Sequence, residues 1–306
     1  MLDGLDKRIL LALRKDGLVT NIALARELGI NAVTVAKRID RMLHENIFVI
    51  RAVPNPYKMG YRVNAFIALD VDLKHVNSIC GKLVEYPNVS SVLTTFGRFD
   101  IIIILDSCNW EMLLAFIKEE ISQIAGIKRI RINFVSEIKK RSYSIFENHK
   151  SADDENVQID EIDRRIVEEL EKNGKVAYHE LARNLKISSA TVSRRIASLL
   201  RNKAIKIVAL PNPANLGFNI NSVITLSADA SKVNDICSEL AGYPEVHTIM
   251  TLINNFEIIL GVHFPTSKML HDFVLEKIAH IDGVLNVETL IRAELKKSYY
   301  IPEFVF

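Results

Sequence analysis

Residues 5–9, with the sequence Leu-Asp-Lys-Arg-Ile, are matched 157 residues later by Ile-Asp-Arg-Arg-Ile at residues 162–166. The same offset relates residues 24–26 (Leu-Ala-Arg) to residues 181–183. It still holds further along, where Pro-Asn-Pro at residues 54–56 recurs at residues 211–213. Chance does not keep one offset over a chain of 306 residues. The protein therefore consists of two copies of one module of about 150 residues.

The composition limits the classes of protein to which the chain can belong. Lysine and arginine total 39 against 37 aspartate and glutamate residues, a formal charge of +2. This balance excludes a polybasic protein and confines any nucleic-acid site to a local patch. Three cysteines form neither a disulfide framework nor a paired-cysteine metal motif, so the reducing cytoplasm is the expected location. The longest apolar runs are too short to cross a bilayer. We expect no membrane contact, no metal and no cofactor.

The first fifty residues of each copy carry apolar residues at helical spacing, in three segments. The first segment ends at Asp16-Gly17 and the second at Gly29. Asn31 in copy one and Ser188 in copy two are suited to cap the third segment. A short break between the second and third helices is typical of a helix-turn-helix.

The outward face of the third helix combines small polar residues with long cations. Such a face fits a DNA major groove, because cations reach phosphates and guanine edges while small residues allow close approach. A solvated basic helix face is the alternative, and Arg38 and Arg195 could instead pack on the core, since they precede the buried positions Ile39 and Ile196. The candidate DNA-binding residues are Asn31, Thr34, Lys37, Arg38 and Arg41 in copy one, and Ser188, Ser189, Thr191, Arg194, Arg195 and Arg201 in copy two.

The remaining ninety residues of each copy alternate between strand and helix patterns in the order βαββαβ. This order predicts an α+β fold, in which each winged-type helix-turn-helix domain of three helices precedes a ferredoxin-like antiparallel sheet with two helices on one face. The open face of such a sheet is most simply buried against another copy. The expected domains are 1–53 (helix-turn-helix), 54–146 (βαββαβ), 147–157 (linker), 158–210 (helix-turn-helix) and 211–306 (βαββαβ).

Four motifs give the chain a specific resemblance. They are Leu5-Asp6-x-x-Ile9, Leu24-Ala25-x-x-Leu28, Thr34-Val35-x-x-Arg38-Ile39, and Gly97-Arg98-Phe99-Asp100 followed by Gly126-Ile127. With them the chain resembles the Lrp/AsnC family of transcriptional regulators, twice over. The resemblance implies binding to double-stranded DNA, and a sensing domain that dimerises through its sheet and binds a small effector such as an amino acid. A pseudo-dimer within the chain and further homo-oligomers are expected; pairing of the copies between chains, which would give higher assemblies, is the alternative that the sequence leaves open.

The resemblance places the effector beside the Gly-x-x-Asp turn. A glycine there lets the backbone approach a ligand and a carboxylate can hold an ammonium group; a plain β-turn is the alternative. Copy two has Asn254-Asn255-Phe256-Glu257 at this turn, so close approach is lost and Glu257 is expected to lie differently from an aspartate. The candidate effector residues are Thr94, Thr95, Gly97, Arg98, Asp100, Asn254, Asn255 and Glu257.

A siroheme decarboxylase of heme biosynthesis, built on the same architecture, is the alternative function. Such an enzyme would need histidines and cations converging on a tetrapyrrole, and copy two has His247, His263, His271 and His280 where copy one has none. None of the four has metal-ligand spacing, and scattered surface or capping histidines are the simpler interpretation. No catalytic motif is recognised elsewhere, so a regulator rather than an enzyme is predicted.

Overall fold

The computed structural model describes residues 2–141, 159–212 and 214–298. Its described residues divide into two compact units, one containing both helix-turn-helix segments and the other containing both βαββαβ segments. The division falls at Met59/Gly60 in copy one and at Leu216/Gly217 in copy two. Equivalent domains of the two copies thus belong to the same unit. The expected linker, residues 147–157, lies outside the described residues.

The two copies have the same helices and strands in the same order, apart from short 3-10 turns. Copy one contains α1 (Gly4–Lys15), α2 (Asn21–Leu28), α3 (Ala32–His44), β1 (Phe48–Pro54), β2 (Val63–Val71), α4 (Val76–Glu85), β3 (Val89–Phe96), β4 (Ile101–Ser107), α5 (Trp110–Glu119) and β5 (Ile127–Arg141). Copy two contains α6 (Glu161–Lys172), α7 (Tyr178–Leu185), α8 (Ser189–Arg201), β6 (Ile205–Pro211), β7 (Ile220–Ala228), α9 (Val233–Ala241), β8 (Val246–Ile253), β9 (Ile258–Phe264), α10 (Ser267–Glu276) and β10 (Val284–Ser298).

The helix-turn-helix segments begin and end on the residues that their sequences suggest. Asp3 caps α1 in a capping box with Asp6, and Asp160 does the same for α6 with Asp163. Asn31 caps α3 and Ser188 caps α8, as expected. Gly29 ends α2 in the left-handed conformation that glycine adopts readily. The predicted three-helix order is confirmed in both copies.

The wing of each helix-turn-helix is a single strand, and the two wings pair with each other. β1 and β6 form an antiparallel sheet of two strands, in which Arg51 lies opposite its own repeat equivalent, Val208. Gly17, in the turn after α1, donates its N–H to Ile207 O at 2.8 Å, and Gly174 donates to Ile50 O at 2.9 Å. In each copy, the turn after the first helix therefore packs on the wing strand of the other copy.

The second unit is a closed barrel of eight strands in the order β10-β3-β4-β2-β5-β8-β9-β7. Each copy supplies four neighbouring strands, and the seams are the pairs β5–β8 and β10–β3. Apolar side chains from both copies, including Phe66, Phe99, Phe256 and Leu290, fill the interior. The open sheet face that the sequence predicts is thus covered by the other copy of the same chain, with the helices packed outside over two further cores.

Lysines at the ends of the long strands fasten the two halves of the barrel. Lys140 Nζ donates to Ala241 O and Tyr243 O, where helix α9 ends. Lys297 Nζ makes the equivalent bonds to Val84 O and Tyr86 O after α4. A cation at a helix C-terminus satisfies orphan carbonyls and opposes the negative end of the helix dipole. Among the described helices, none combines the length and the apolar content needed to span a membrane.

Candidate nucleic-acid interface and effector site

A cluster of carboxylates and guanidinium groups holds α3 against α1. Asp6 is fully buried, and its carboxylate accepts from Arg38 at 2.8 Å and from Arg41 at 2.5 Å. Arg38 also donates to Asp3 at 2.5 Å. In copy two, Arg195 contacts Asp160 at 2.8 Å and Asp163 at 2.9 Å. The two arginines at equivalent positions therefore join helices within their own domain.

This geometry favours the structural role of Arg38 and Arg195, which the sequence left open beside a role as DNA contacts. Each guanidinium already pairs with two carboxylates, and the buried Arg195 Nε finds no hydrogen-bond partner among the described residues. Reaching a phosphate or a base would take Arg195 away from the largely buried Asp163 and would leave the buried Asp6 with Arg41 alone, which is costly. We therefore leave both residues out of the proposed DNA face, in favour of the structural alternative that the sequence also allowed.

One exposed carboxylate of this cluster, Asp3, has a lowered pKa. The hydrogen bond from Arg38 lowers the pKa of Asp3 from its ordinary 3.8 to about 2. A pKa that is lower in the folded state than in the unfolded state stabilises the folded state at pH values above 3.8. This stabilisation is lost as the pH falls toward about 2. We expect Asp3→Asn to remove this part of the pH dependence, measured as the thermal unfolding midpoint of the full chain. Identical pH profiles for the two proteins over that range would contradict the expectation.

The remaining candidates share one exposed face of each third helix. In copy one, Thr34, Lys37 and Arg41 recur at helical spacing and are exposed, although Arg41 also bonds to Asp6. In copy two, Thr191 is partly exposed while Arg194 and Arg201 are exposed. Asn31, Ser188 and Ser189 lie at the N-termini of these helices, where Asn31 and Ser188 act as caps. The structure thus brings small polar residues and cations onto one face.

An apolar residue on this face escaped the sequence analysis. Val33 follows the cap of α3 and its side chain is 61% exposed, and Ala190 occupies the equivalent position in copy two. Such residues can contact the methyl group of thymine in a major groove. The sequence signal for it is an apolar residue that lies outside the buried stripe of its helix.

The effector turn of copy one is tied to the barrel by its own candidate residues. Asp100 Oδ2 accepts from Val71 N at 2.8 Å, and Thr95 Oγ1 donates to Phe99 O at 2.5 Å. Gly97 has φ +142°, which L residues rarely adopt, and a Cβ there would lie 2.8 Å from Leu290 Cδ2, so glycine suits the turn and allows it to pack closely on β10. The guanidinium of Arg98 lies 3.5 Å from Glu288, and Thr94 is buried. An incoming ammonium group would have to share Asp100 with the backbone.

The turn of copy two has a different sequence but comparable anchors. Glu257 Oε2 accepts from Ala228 N at 3.0 Å, the repeat equivalent of the Asp100 bond, so the expectation that Glu257 would lie differently is wrong. Asn254 adopts φ +132° and donates to Ile132 O at 2.7 Å. Asn255 donates from its backbone and side-chain nitrogens to Asn133 Oδ1. Side-chain bonds to β5 thus take the place of the close packing that Gly97 allows.

The histidines of copy two are not all scattered on the surface. His271 and His280 are exposed, as the simpler interpretation held. His247 and His263, however, stack with ring centroids 5.4 Å apart in the barrel. Within the described residues, no cluster of histidine, cysteine and carboxylate side chains could hold a metal ion.

Comparison with known families matches every domain. The AsnC-type helix-turn-helix domain matches residues 2–43 and 159–200. Residues 58–148 match the PF0864 C-terminal dimeric alpha+beta barrel domain, and residues 222–300 match the Lrp/AsnC ligand binding domain. Over its whole length the chain is also similar in fold to a siroheme decarboxylase, NirDL, solved with an iron-uroporphyrin III analogue. The TM-score is 0.64 with 16% identity, and the alignment covers 98% of this chain and 94% of that one. Identity this low shows a shared fold alone.

Curated relatives of the chain are regulators of half its length. An uncharacterized HTH-type transcriptional regulator of Pyrococcus abyssi is 36% identical over 149 residues, which are 48% of this chain and 94% of the relative. The HTH-type transcriptional regulator FL11 of Pyrococcus furiosus is 30% identical over 141 residues, which are 46% of this chain and 93% of the relative. Each relative thus corresponds to one module. The chain belongs to the Lrp/AsnC family of helix-turn-helix transcriptional regulators, with two copies of the family's module in one polypeptide.

Proposed function

We propose that this regulator binds an asymmetric DNA operator through the exposed faces of α3 and α8. The observation that carries the proposal is the pairing of β1 with β6, because it joins two recognition helices of unlike sequence in one unit. A family dimer presents two identical helices and reads a palindrome. Here copy two has Ser198 at the position equivalent to Arg41 and Arg194 at the position equivalent to Lys37. The two half-sites are therefore free to differ, and the protein would act in the cytoplasm.

A gel-shift titration against DNA from the chain's own upstream region tests this proposal. A specific complex survives excess competitor DNA, and its affinity falls by roughly a thousandfold between 50 and 200 mM salt if six to ten phosphates are contacted. A complex that competitor erases at every fragment would overturn the proposal. So would selection from random DNA that recovers only perfect palindromes.

Loss of one cation from each recognition helix is expected to weaken DNA binding by at least about tenfold. Lys37→Gln combined with Arg194→Gln removes two exposed cations, and each contact to a phosphate or base is worth about 1–3 kcal/mol. The measurement is the dissociation constant for the selected operator.

The matched control is Arg8→Gln combined with Arg165→Gln. These arginines are also exposed and repeat-equivalent, but they lie on α1 and α6. Both double variants change the net charge equally, so any general electrostatic effect is shared. If the two variants weaken binding alike, α3 and α8 are not the DNA-contacting helices.

The proposed function also includes a small effector and association of the chain into a homo-oligomer. We assign an amino-acid effector to the turn from Gly97 to Asp100 in copy one. This site keeps the glycine and the aspartate, whereas copy two has Asn254 and Glu257. Calorimetry is expected to give one amino-acid site per chain at this turn, and two equivalent sites would contradict the assignment. Further copies of the chain are expected to associate, as in a homo-oligomer.

A further inference from the structure

Five polar side chains, four of them from copy two, form a row across one level of the barrel interior. Arg292 on β10 pairs with Thr95 on β3. On its other side the β10–β7 ladder ends at the pair Ile291–Ser222, and extending this register by one residue brings Asn221 next to Arg292. Asn221 in turn pairs with His263 on β9, whose ring stacks on His247. Residues two positions apart on a strand share a face, so Arg292 points inward with Leu290. We call Thr95, Arg292, Asn221, His263 and His247 the copy-two row.

The equivalent level of copy one has a different chemistry. There Asn64 donates to Asp106. The copy-one residues at the positions of His263, Arg292 and His247 are Asp106, Val135 and Ser90. Ile104 fills the barrel interior at the position of Gly261. A Cβ on Gly261 would lie 2.3 Å from the His247 ring, so this glycine makes the room that the histidine occupies. Substitutions at four positions thus combine to build the row in one copy.

The copy-two row contains one cation and an unsatisfied acceptor. Burial lowers the pKa of Arg292 to about 10, and among the described residues no carboxylate forms an ion pair with its guanidinium. Burial, with Arg292 as a second cause, lowers the pKa of His263 to about 4, so the imidazole is neutral near pH 7. Asn221 is 8% exposed, and its Nδ2 donates to Phe218 O, while its buried Oδ1 has no hydrogen-bond partner among the described residues. A buried acceptor of this kind calls for a donor.

We propose that the copy-two row binds a small monocarboxylate that carries a hydroxyl group, of the 2-hydroxy acid class. The carboxylate pairs with Arg292, and the hydroxyl donates to Asn221 Oδ1. The charge of the row matches one anion, since its imidazoles are neutral and Arg292 is its single permanent cation. An amino acid fits less well, because its ammonium group would lie close to Arg292 with no carboxylate of the row to hold it. His247 and Arg292 keep partial exposure, which gives a small solute access.

Calorimetry on the full chain near pH 7, without DNA, tests the proposal. The probes are sodium L-lactate, its neutral analogue lactamide and the zwitterion L-alanine, which have nearly the same size. We expect lactate to bind at one site per chain, and lactamide to bind at least tenfold more weakly. Any alanine site should survive loss of Arg292, since we place amino acids at the Gly97 turn. Equal affinity for lactate and lactamide, or no heat from lactate up to about 50 mM, would overturn the proposal.

Variants of two inward-facing arginines locate the site. Arg292→Met is expected to weaken lactate binding at least tenfold while the barrel stays folded, since an apolar side chain of similar length replaces a cation that forms no ion pair with any residue the structure describes. Arg131→Met is the control, because Arg131 already pairs with Asp70 at 3.4 Å and stacks on Phe99. Arg292→Lys keeps the charge and should retain most of the affinity. Unchanged lactate binding in Arg292→Met would overturn the assignment, whatever the outcome of the DNA experiments.

Discussion

Replacing Asp6 by alanine is expected to lower the free energy of unfolding of the helix-turn-helix unit by about 3 kcal/mol. Its carboxylate is fully buried, closes the capping box of α1 by accepting from Asp3 N, and pairs with both Arg38 and Arg41. Alanine removes every one of these bonds and leaves guanidinium groups beside an apolar core. The loss exceeds that from an ordinary surface ion pair, because the partner that disappears is the buried one. Denaturant unfolding of the full chain, followed by circular dichroism, measures it.

The matched variant is Asp163→Ala in copy two. Asp163 also closes a capping box, but within the described part of the chain it forms an ion pair only with Arg195, since Ser198 stands where copy one has Arg41. Its side chain is 12% exposed, against 1% for Asp6. We therefore expect a smaller loss of stability from Asp163→Ala. Equal losses from the two variants would show that the bond between Arg41 and Asp6 adds nothing.

The arginines show what a sequence can and cannot reveal about this site. Arg38 and Arg195 lie next to Ile39 and Ile196 at the border of the buried stripe, and helical spacing alone fits either a DNA contact or a structural role. The choice depends on how closely α1 crosses α3, because that crossing brings Asp3 and Asp6 within reach from 35 and 32 positions away. Side-chain periodicity carries no information about such a crossing. The helices themselves, with caps at Asn31 and Ser188, follow from local sequence and were predicted correctly.

In the barrel, too, the secondary structure is predictable from local sequence, whereas the contacts between distant segments are not. The βαββαβ order and the need to cover the sheet follow from periodicity, whereas the identity of the covering sheet does not. His247 and His263 looked unrelated, because their spacing of sixteen fits no ligand motif. Strands β8 and β9 nevertheless pair with a register shift between Val246 and Thr248, and this bulge presents His247 to His263. Bulges of this kind re-aim a side chain and leave no reliable mark in a single sequence.

Gly17 and Gly174 occupy equivalent positions in the two copies, and both lie where the two helix-turn-helix domains pair. From the sequence, Asp16-Gly17 is the end of a helix. In the structure, glycine is required at residue 17 because the backbone of the other copy lies against it. A Cβ on Gly17 would lie 2.8 Å from Val208 Cα, and one on Gly174 would lie 2.9 Å from Arg51 Cα. Both neighbours are backbone atoms of the paired wings, which cannot rotate away as a side chain can. Even a methyl group must therefore displace the strand or break the bond from the glycine N–H.

We expect Gly17→Ala combined with Gly174→Ala to destabilise the helix-turn-helix unit by roughly 2–6 kcal/mol, at about 1–3 kcal/mol per site. Binding to an operator with two half-sites should fall at least tenfold. Binding to a single half-site should change little, because α3 and α8 do not contain either glycine. Gly4→Ala is the control, since nothing lies within 4 Å of its Cβ position and copy two already has Glu161 there. Equal losses on one and two half-sites would mean that the paired wings do not set the spacing of the recognition helices.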